Sequence, residues 1–152
     1  MQKYINQKLG SIQTDIKCGK SNYNSFGKYG YRSTEDICEA VKPYETEHQV
    51  TFILSDEMIE IANRVYVEAT ASITCNVSGE YIAVKASARE PQVIKGMSEM
   101  QITGATASYA RKRALAGLLL LDDTQDADGF NKHDDKSVET NDNNQNGEDD
   151  LL

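Results

Sequence analysis

Between Asp15 and Glu35 the chain runs nineteen positions without an acidic residue, and Lys17, Lys20, Lys28 and Arg32 interleave there with Tyr23, Phe26, Tyr29 and Tyr31. Cations and flat rings together meet the two demands of a single-stranded nucleic acid, which offers a line of phosphates and a series of unstacked bases. Stacking on an aromatic ring contributes about 1 to 3 kcal/mol per base, and every base has a π-face, so binding built this way is largely tolerant of sequence. Gly27 and Gly30 flank Lys28 and Tyr29 and let a backbone approach closely. A plainer reading stays open, in which the rings pack a hairpin onto the core and the lysines are solvated at its rim. A second cluster follows Tyr109: Arg111, Lys112 and Arg113. Three consecutive helical residues sweep about 200 degrees, so at least one of them lies toward an edge of the helix's packed face. An ordinary solvated helix face is the alternative there.

The elements that must position these residues are legible in the hydrophobic pattern. Ile5, Leu9, Ile12 and Ile16 share one helical face. Ser33, followed by Glu35 and Asp36, reads as an N-cap opening a second helix with the stripe Ile37, Val41 and Tyr44; Pro43 is expected to end it early. From Val65 to Cys75 apolar residues occupy the odd positions and polar ones the even, the alternation of a half-buried strand. Asn76 to Gly79 is turn chemistry, and Ile82, Val84, Ala86 and Ala88 repeat the alternation, giving an antiparallel hairpin. Thr51 to Leu54 and Ile59 to Ala62 extend the sheet. Ser98 with Gln101 is a capping box opening a helix that runs toward Leu121, rich in Gly and Ala and so able to pack closely on a sheet. Tyr66, Tyr81, Lys85 and Arg89 fall on the outer face of the hairpin as a weak further platform, with Glu68 opposing it. The pattern predicts an α+β fold, an antiparallel sheet with a central β-hairpin packed against helices.

Charge divides the chain. Of its 152 residues, those through Leu121 carry 14 basic and 13 acidic side chains, whereas Asp122 to Leu152 carry 2 and 11. The second part holds too little apolar surface to repay the entropy of ordering. The expected organisation is one domain over 1–125 and a disordered acidic tail over 126–152. The longest apolar stretch, Ala114 to Leu121, has eight residues and includes Gly117, whereas a membrane span needs roughly 20. No signal-peptide core opens the sequence, and three widely spaced cysteines fit a reducing compartment, so a cytoplasmic location without membrane contact is expected. With two histidines and no Cys-x-x-Cys, no metal site or other cofactor is expected. An enzyme reading would make Asp122, Asp123, Asp126 and Asp128 a metal-dependent nuclease site, which the end of a helix is poorly placed to hold rigid.

Several separated motifs also carry a resemblance. Asn24-Ser-Phe-Gly-Lys-Tyr-Gly-Tyr-Arg-Ser-Thr-Glu-Asp-Ile, Val41-Lys-Pro, Lys95-Gly-Met, Gln101-Ile-Thr-Gly-Ala and Ser108-Tyr-Ala-Arg-Lys-Arg-Ala-Leu, in this order, are similar to the ERF (essential recombination function) family of phage single-strand annealing proteins. Arg113 and Leu119-Leu120 depart from the commoner family pattern, which has aromatic residues there. The resemblance implies a phage or prophage recombination protein, active in the bacterial cytoplasm, that binds single-stranded DNA, anneals complementary strands without ATP and assembles into rings or filaments. It points DNA contact at Lys20, Lys28, Tyr29, Tyr31, Arg32, Arg111, Lys112 and Arg113, with no catalytic residue. A single-stranded DNA-protecting or recombinase-loading protein that does not anneal is the alternative. A host or phage single-stranded DNA-binding protein is a further expected partner. For the acidic tail, with its Glu148-Asp-Asp-Leu-Leu end, three roles stay open: competition with DNA for the basic surface, docking of a partner, and solubility.

Overall fold

The computed structural model describes residues 4–122. Its elements in chain order are α1 (Ile5–Asp15), β1 (Asn22–Asn24), β2 (Tyr29–Tyr31), α2 (Thr34–His48), β3 (Val50–Ile61), β4 (Arg64–Cys75), β5 (Tyr81–Arg89) and α3 (Glu99–Leu119). β3, β4 and β5 form an antiparallel meander, and β1 pairs with β2 in a separate two-stranded ribbon. The α+β class and the central hairpin are as the pattern predicts. The acidic tail expected over 126–152 lies outside the described residues.

The buried cluster forms on one face of the meander. Val67, Ala69, Ala71, Ile73 and Cys75 of β4 point into it, together with Ile5, Leu9 and Ile12 of α1, Ile37 and Val41 of α2, and Ala110, Ala114, Leu115, Leu118 and Leu119 of α3. Alanines at the centre of β4 and along α3 bring helix and sheet close. A Cβ added at Gly117 would stand 3.3 Å from Val84 Cγ1, so the glycine is part of that fit. The even positions of β4 from Tyr66 to Thr74 are half-buried and face away from the helices. Val65, at the far end of β4, is exposed despite its place in the alternation.

Three expectations change. Pro43 sits inside α2, which continues to His48. A proline lacks the N–H that would bond the carbonyl four residues back, here Glu39, but both residues lie on the exposed side, where losing that bond costs less than in a buried helix. Burial of Ile37 and Val41 on the other side carries the helix through. The two segments expected to extend the sheet are one twelve-residue strand, closed by the two-residue turn Ala62–Asn63, both at positive φ (51 and 59). That is a type I′ turn, and Ala62 hid it by standing where asparagine or glycine is the usual signal. Finally, α3 ends at Leu119: Leu120 takes a left-handed conformation (φ 54) and Leu121 N donates to Ala116 O at 2.9 Å, a Schellman-type stop without the customary glycine.

Candidate nucleic-acid interface

The acid-free stretch folds as a hairpin whose geometry sorts its rings. Asn22 pairs with Tyr31, Tyr23 with Gly30 and Asn24 with Tyr29. Side chains alternate across a ribbon, so Tyr29 and Tyr31 share one face and Tyr23 takes the other. Tyr29 and Tyr31 are half-buried and meet edge to face, with centroids 6.3 Å apart. Tyr23 lies opposite a glycine, which offers no side chain to cover it, and is 66% exposed. At the tip, Asn24 Oδ1 accepts from Phe26 N and Gly27 N, both at 3.0 Å, closing an Asx turn that throws Phe26 into solvent at 96% exposure. Gly27 lies against the Tyr29 ring, where a Cβ would be 2.3 Å from Cε1. Lys28 follows, exposed and at φ 54.

The plain reading of this loop thus applies to half of it: Tyr29 and Tyr31 cover each other, whereas Tyr23 and Phe26 present open faces. Lys20 stands half-buried at the hairpin's entry, its Cβ 3.7 Å from the position a Gly30 Cβ would occupy.

The foot of the hairpin is fastened to the helices. Asp36 Oδ2 accepts from Asn22 Nδ2 at 2.6 Å and from Ser33 N at 2.7 Å, while Asp36 N donates to Ser33 Oγ at 3.1 Å, so one carboxylate completes the capping box of α2 and holds β1 to it. These bonds, the Ser33 backbone bond first, hold the Asp36 carboxyl below the usual carboxylate range. Thr34 Oγ1 donates to Ser108 O at 2.9 Å, setting the start of α2 against the turn of α3 that bears Tyr109. Arg32 is 7% exposed and its Nη1 donates to Asp122 O at 2.7 Å. The structure therefore gives Arg32 a structural attachment.

On α3 the three consecutive cations separate. Arg111 turns toward the sheet and its Nε donates to Asp56 Oδ2 at 2.7 Å. Asp56 occupies an even position of β3, on the helix side among apolar residues, and a charge so placed in a strand is itself the sequence signal of a partner. Lys112 Nζ and Arg113 instead lie over the half-open Tyr109 ring, at 5.5 and 6.0 Å from its centroid. Elsewhere, Lys85 on the outer face of the sheet is paired with Glu68 at 2.5 Å and with Glu57 at 3.8 Å, which weakens that platform.

Of the eight residues singled out from sequence, Lys20, Lys28, Tyr29, Tyr31 and Arg32 are thus assembled on or under one hairpin. Lys112 and Arg113 form a second site around Tyr109, and Arg111 is held apart by Asp56. Tyr23 and Phe26, the most exposed rings of the stretch, were visible in its composition but not distinguishable there from Tyr29 and Tyr31. The Asn24-x-x-Gly27 spacing of an Asx turn was the available signal.

Among the described residues no group of three or more His, Cys, Asp or Glu side chains stands close enough to hold a metal ion. Of the acidic quartet considered as a nuclease site, Asp123, Asp126 and Asp128 lie outside the described residues. No described helix is long and apolar enough to cross a membrane.

Fold and surface together define a small α+β module that carries a basic, aromatic hairpin on helices backed by a three-stranded sheet. The chain belongs to the ERF superfamily, whose family model matches residues 5–151. It is 47% identical over 128 residues to the essential recombination function protein of Salmonella phage P22, an alignment covering 84% of this chain and 60% of that protein. The resemblance read from the motifs is borne out, and the longest of those motifs falls on the hairpin and the first turn of α2. No solved structure matches.

Proposed function

We propose that the chain is a phage recombination protein that binds single-stranded DNA and promotes annealing of complementary strands without ATP, with the hairpin as its main DNA contact. The observation that carries this reading is the pair of open rings, Phe26 and Tyr23, next to Lys28 in a stretch without acidic residues. Membership of the ERF superfamily and the similarity to the essential recombination function protein of phage P22 support it. Rings hold the bases apart and outward, cations lower the repulsion between two phosphate chains, and base pairing supplies the driving free energy. Lys112 and Arg113 around Tyr109 offer a second strand or a neighbouring stretch a place to bind.

Such a module needs no nucleophile, metal or nucleotide. Self-association into a ring or filament would join short tracks into a long one and multiply weak contacts. The expected setting is the host cytoplasm, with a host or phage single-stranded DNA-binding protein as a further partner.

The test is annealing of two labelled complementary oligonucleotides, followed by fluorescence quenching without ATP. Acceleration by the wild type and its loss in a folded Tyr23→Ala, Phe26→Ala variant is the expected result. Tight binding without acceleration would move the function to strand protection or recombinase loading, and absence of binding would overturn the reading.

A further inference from the structure

The described chain ends at the foot of the hairpin. Arg32, one of four cations in the acid-free stretch with Lys17, Lys20 and Lys28, donates from Nη1 to Asp122 O, while its Nε has no hydrogen-bond partner among the described residues. From Asp122 onward the sequence carries 11 acidic and 2 basic residues, a net charge of -9 opposite in sign to the stretch between Asp15 and Glu35. We propose that segment 123–152 docks on the hairpin of its own chain and competes there with nucleic acid; the competition rests on the hairpin being the DNA contact.

Reach favours this placement. Strands of three residues make a ribbon about 10 Å long, at roughly 3.4 Å per residue. Asp134 and Asp135 lie 12 and 13 residues beyond Asp122, a tether of up to about 40 Å. The attachment makes the encounter intramolecular, with an effective concentration on the order of millimolar, so individually weak ion pairs suffice. Screening over about 10 Å at 0.1 M salt weakens them further from low to high ionic strength. The segment supplies carboxylates but, apart from Phe130 and the small imidazole of His133, no aromatic ring. It therefore offers carboxylates to the cations while leaving Tyr23 and Phe26 uncovered, and a DNA strand that offers both phosphates and bases displaces it.

The experiment uses the full chain. In one variant Asp134, Asp135, Glu139, Asp142, Glu148, Asp149 and Asp150 are replaced by Asn or Gln, and its affinity for an oligothymidylate is compared with that of the wild type. If nine-tenths of the hairpins are covered at low salt, the variant binds about tenfold tighter there, and the difference closes at about 0.5 M salt. Equal affinities at low salt overturn the competition.

A second readout does not depend on DNA binding. Carbodiimide coupling of lysine amines to carboxylates, mapped by mass spectrometry, is expected to join Lys17, Lys20 or Lys28 to the segment at low salt and to fail when excess oligonucleotide is present. Absence of such links overturns the docking even if the chain binds DNA well. Links that form in a chain unable to bind any strand keep the docking and reject the DNA reading instead.

Discussion

Phe26→Ala separates binding from folding more cleanly than any other change in the hairpin. The ring is 96% exposed, so its removal uncovers no core and is expected to shift stability by no more than about 0.5 kcal/mol. If a base stacks on it, the loss is about 1 to 3 kcal/mol, which is roughly a 5- to 150-fold weaker Kd for a short oligonucleotide. Tyr23→Ala is expected to behave alike, since a glycine lies opposite Tyr23 and leaves its ring open. The assay is fluorescence anisotropy of a labelled oligothymidylate at several salt concentrations, with a urea titration of each variant as the folding control. No charge is removed by either change, so the slope of log Kd against log salt stays that of the wild type while the curve moves bodily. Phe26→Leu keeps an apolar side chain without the flat face and is expected to bind as poorly as the alanine variant. Folded variants that bind within twofold of the wild type would refute stacking at the tip.

Other residues of the two clusters are expected to respond differently. Lys28→Ala weakens binding and also reduces the salt slope by about 0.7, the signature of one lost phosphate contact on a single strand. Arg111→Ala removes the partner of Asp56 and is expected to lower the urea midpoint, with a cost held to roughly 1 kcal/mol by partial exposure, while changing oligonucleotide affinity little. The pH dependence follows from Asp36, whose folded carboxyl titrates below its ordinary value of about 3.9 because Ser33 and Asn22 donate to it. Its stabilisation is complete above that ordinary value and disappears as pH falls through the lower, folded one. Between about pH 6 and about pH 2.5 the wild type should therefore lose more stability than Asp36→Asn, as read from urea midpoints; equal losses would remove Asp36 from the acid response.

How much of this was legible in the sequence depends on how local each signal is. Ser33 and Ser98 with their capping partners fixed two helix starts, because a capping box is complete within four residues. The alternation of β4 announced both the strand and its buried face, since Val67, Ala69, Ala71 and Ile73 report one environment at a period of two. What escaped was decided at a distance. Pro43 looks like a helix terminus until Ile37 and Val41 are seen to be buried against the rest of the molecule. Helix geometry says that the cations at 111–113 diverge, but not that Asp56, 55 residues upstream of Arg111, claims one of them. Nothing near Arg32 in the sequence announces that its guanidinium donates to Asp122, 90 residues downstream. Composition located the hairpin, but only the pairing of Tyr23 with Gly30 and the turn at Asn24 tell which rings are open.

The bonds that seat the hairpin also set an order in time. Thr34 is tied to Ser108, Gln13 to Leu118 and Arg32 to Asp122, so the first third of the chain is fastened to its last described helix and to the residue three places beyond it. During synthesis, at roughly 5 to 20 residues per second, α1, the hairpin and α2 leave the ribosome several seconds before α3 exists. In that interval Ile73, Ala71 and Val67 have no α3 to cover them, and Ser33 and Asp36 can cap α2 but cannot place it. A nascent chain that stalls before residue 99 would thus carry every aromatic residue of the hairpin and still lack the seat that aims them.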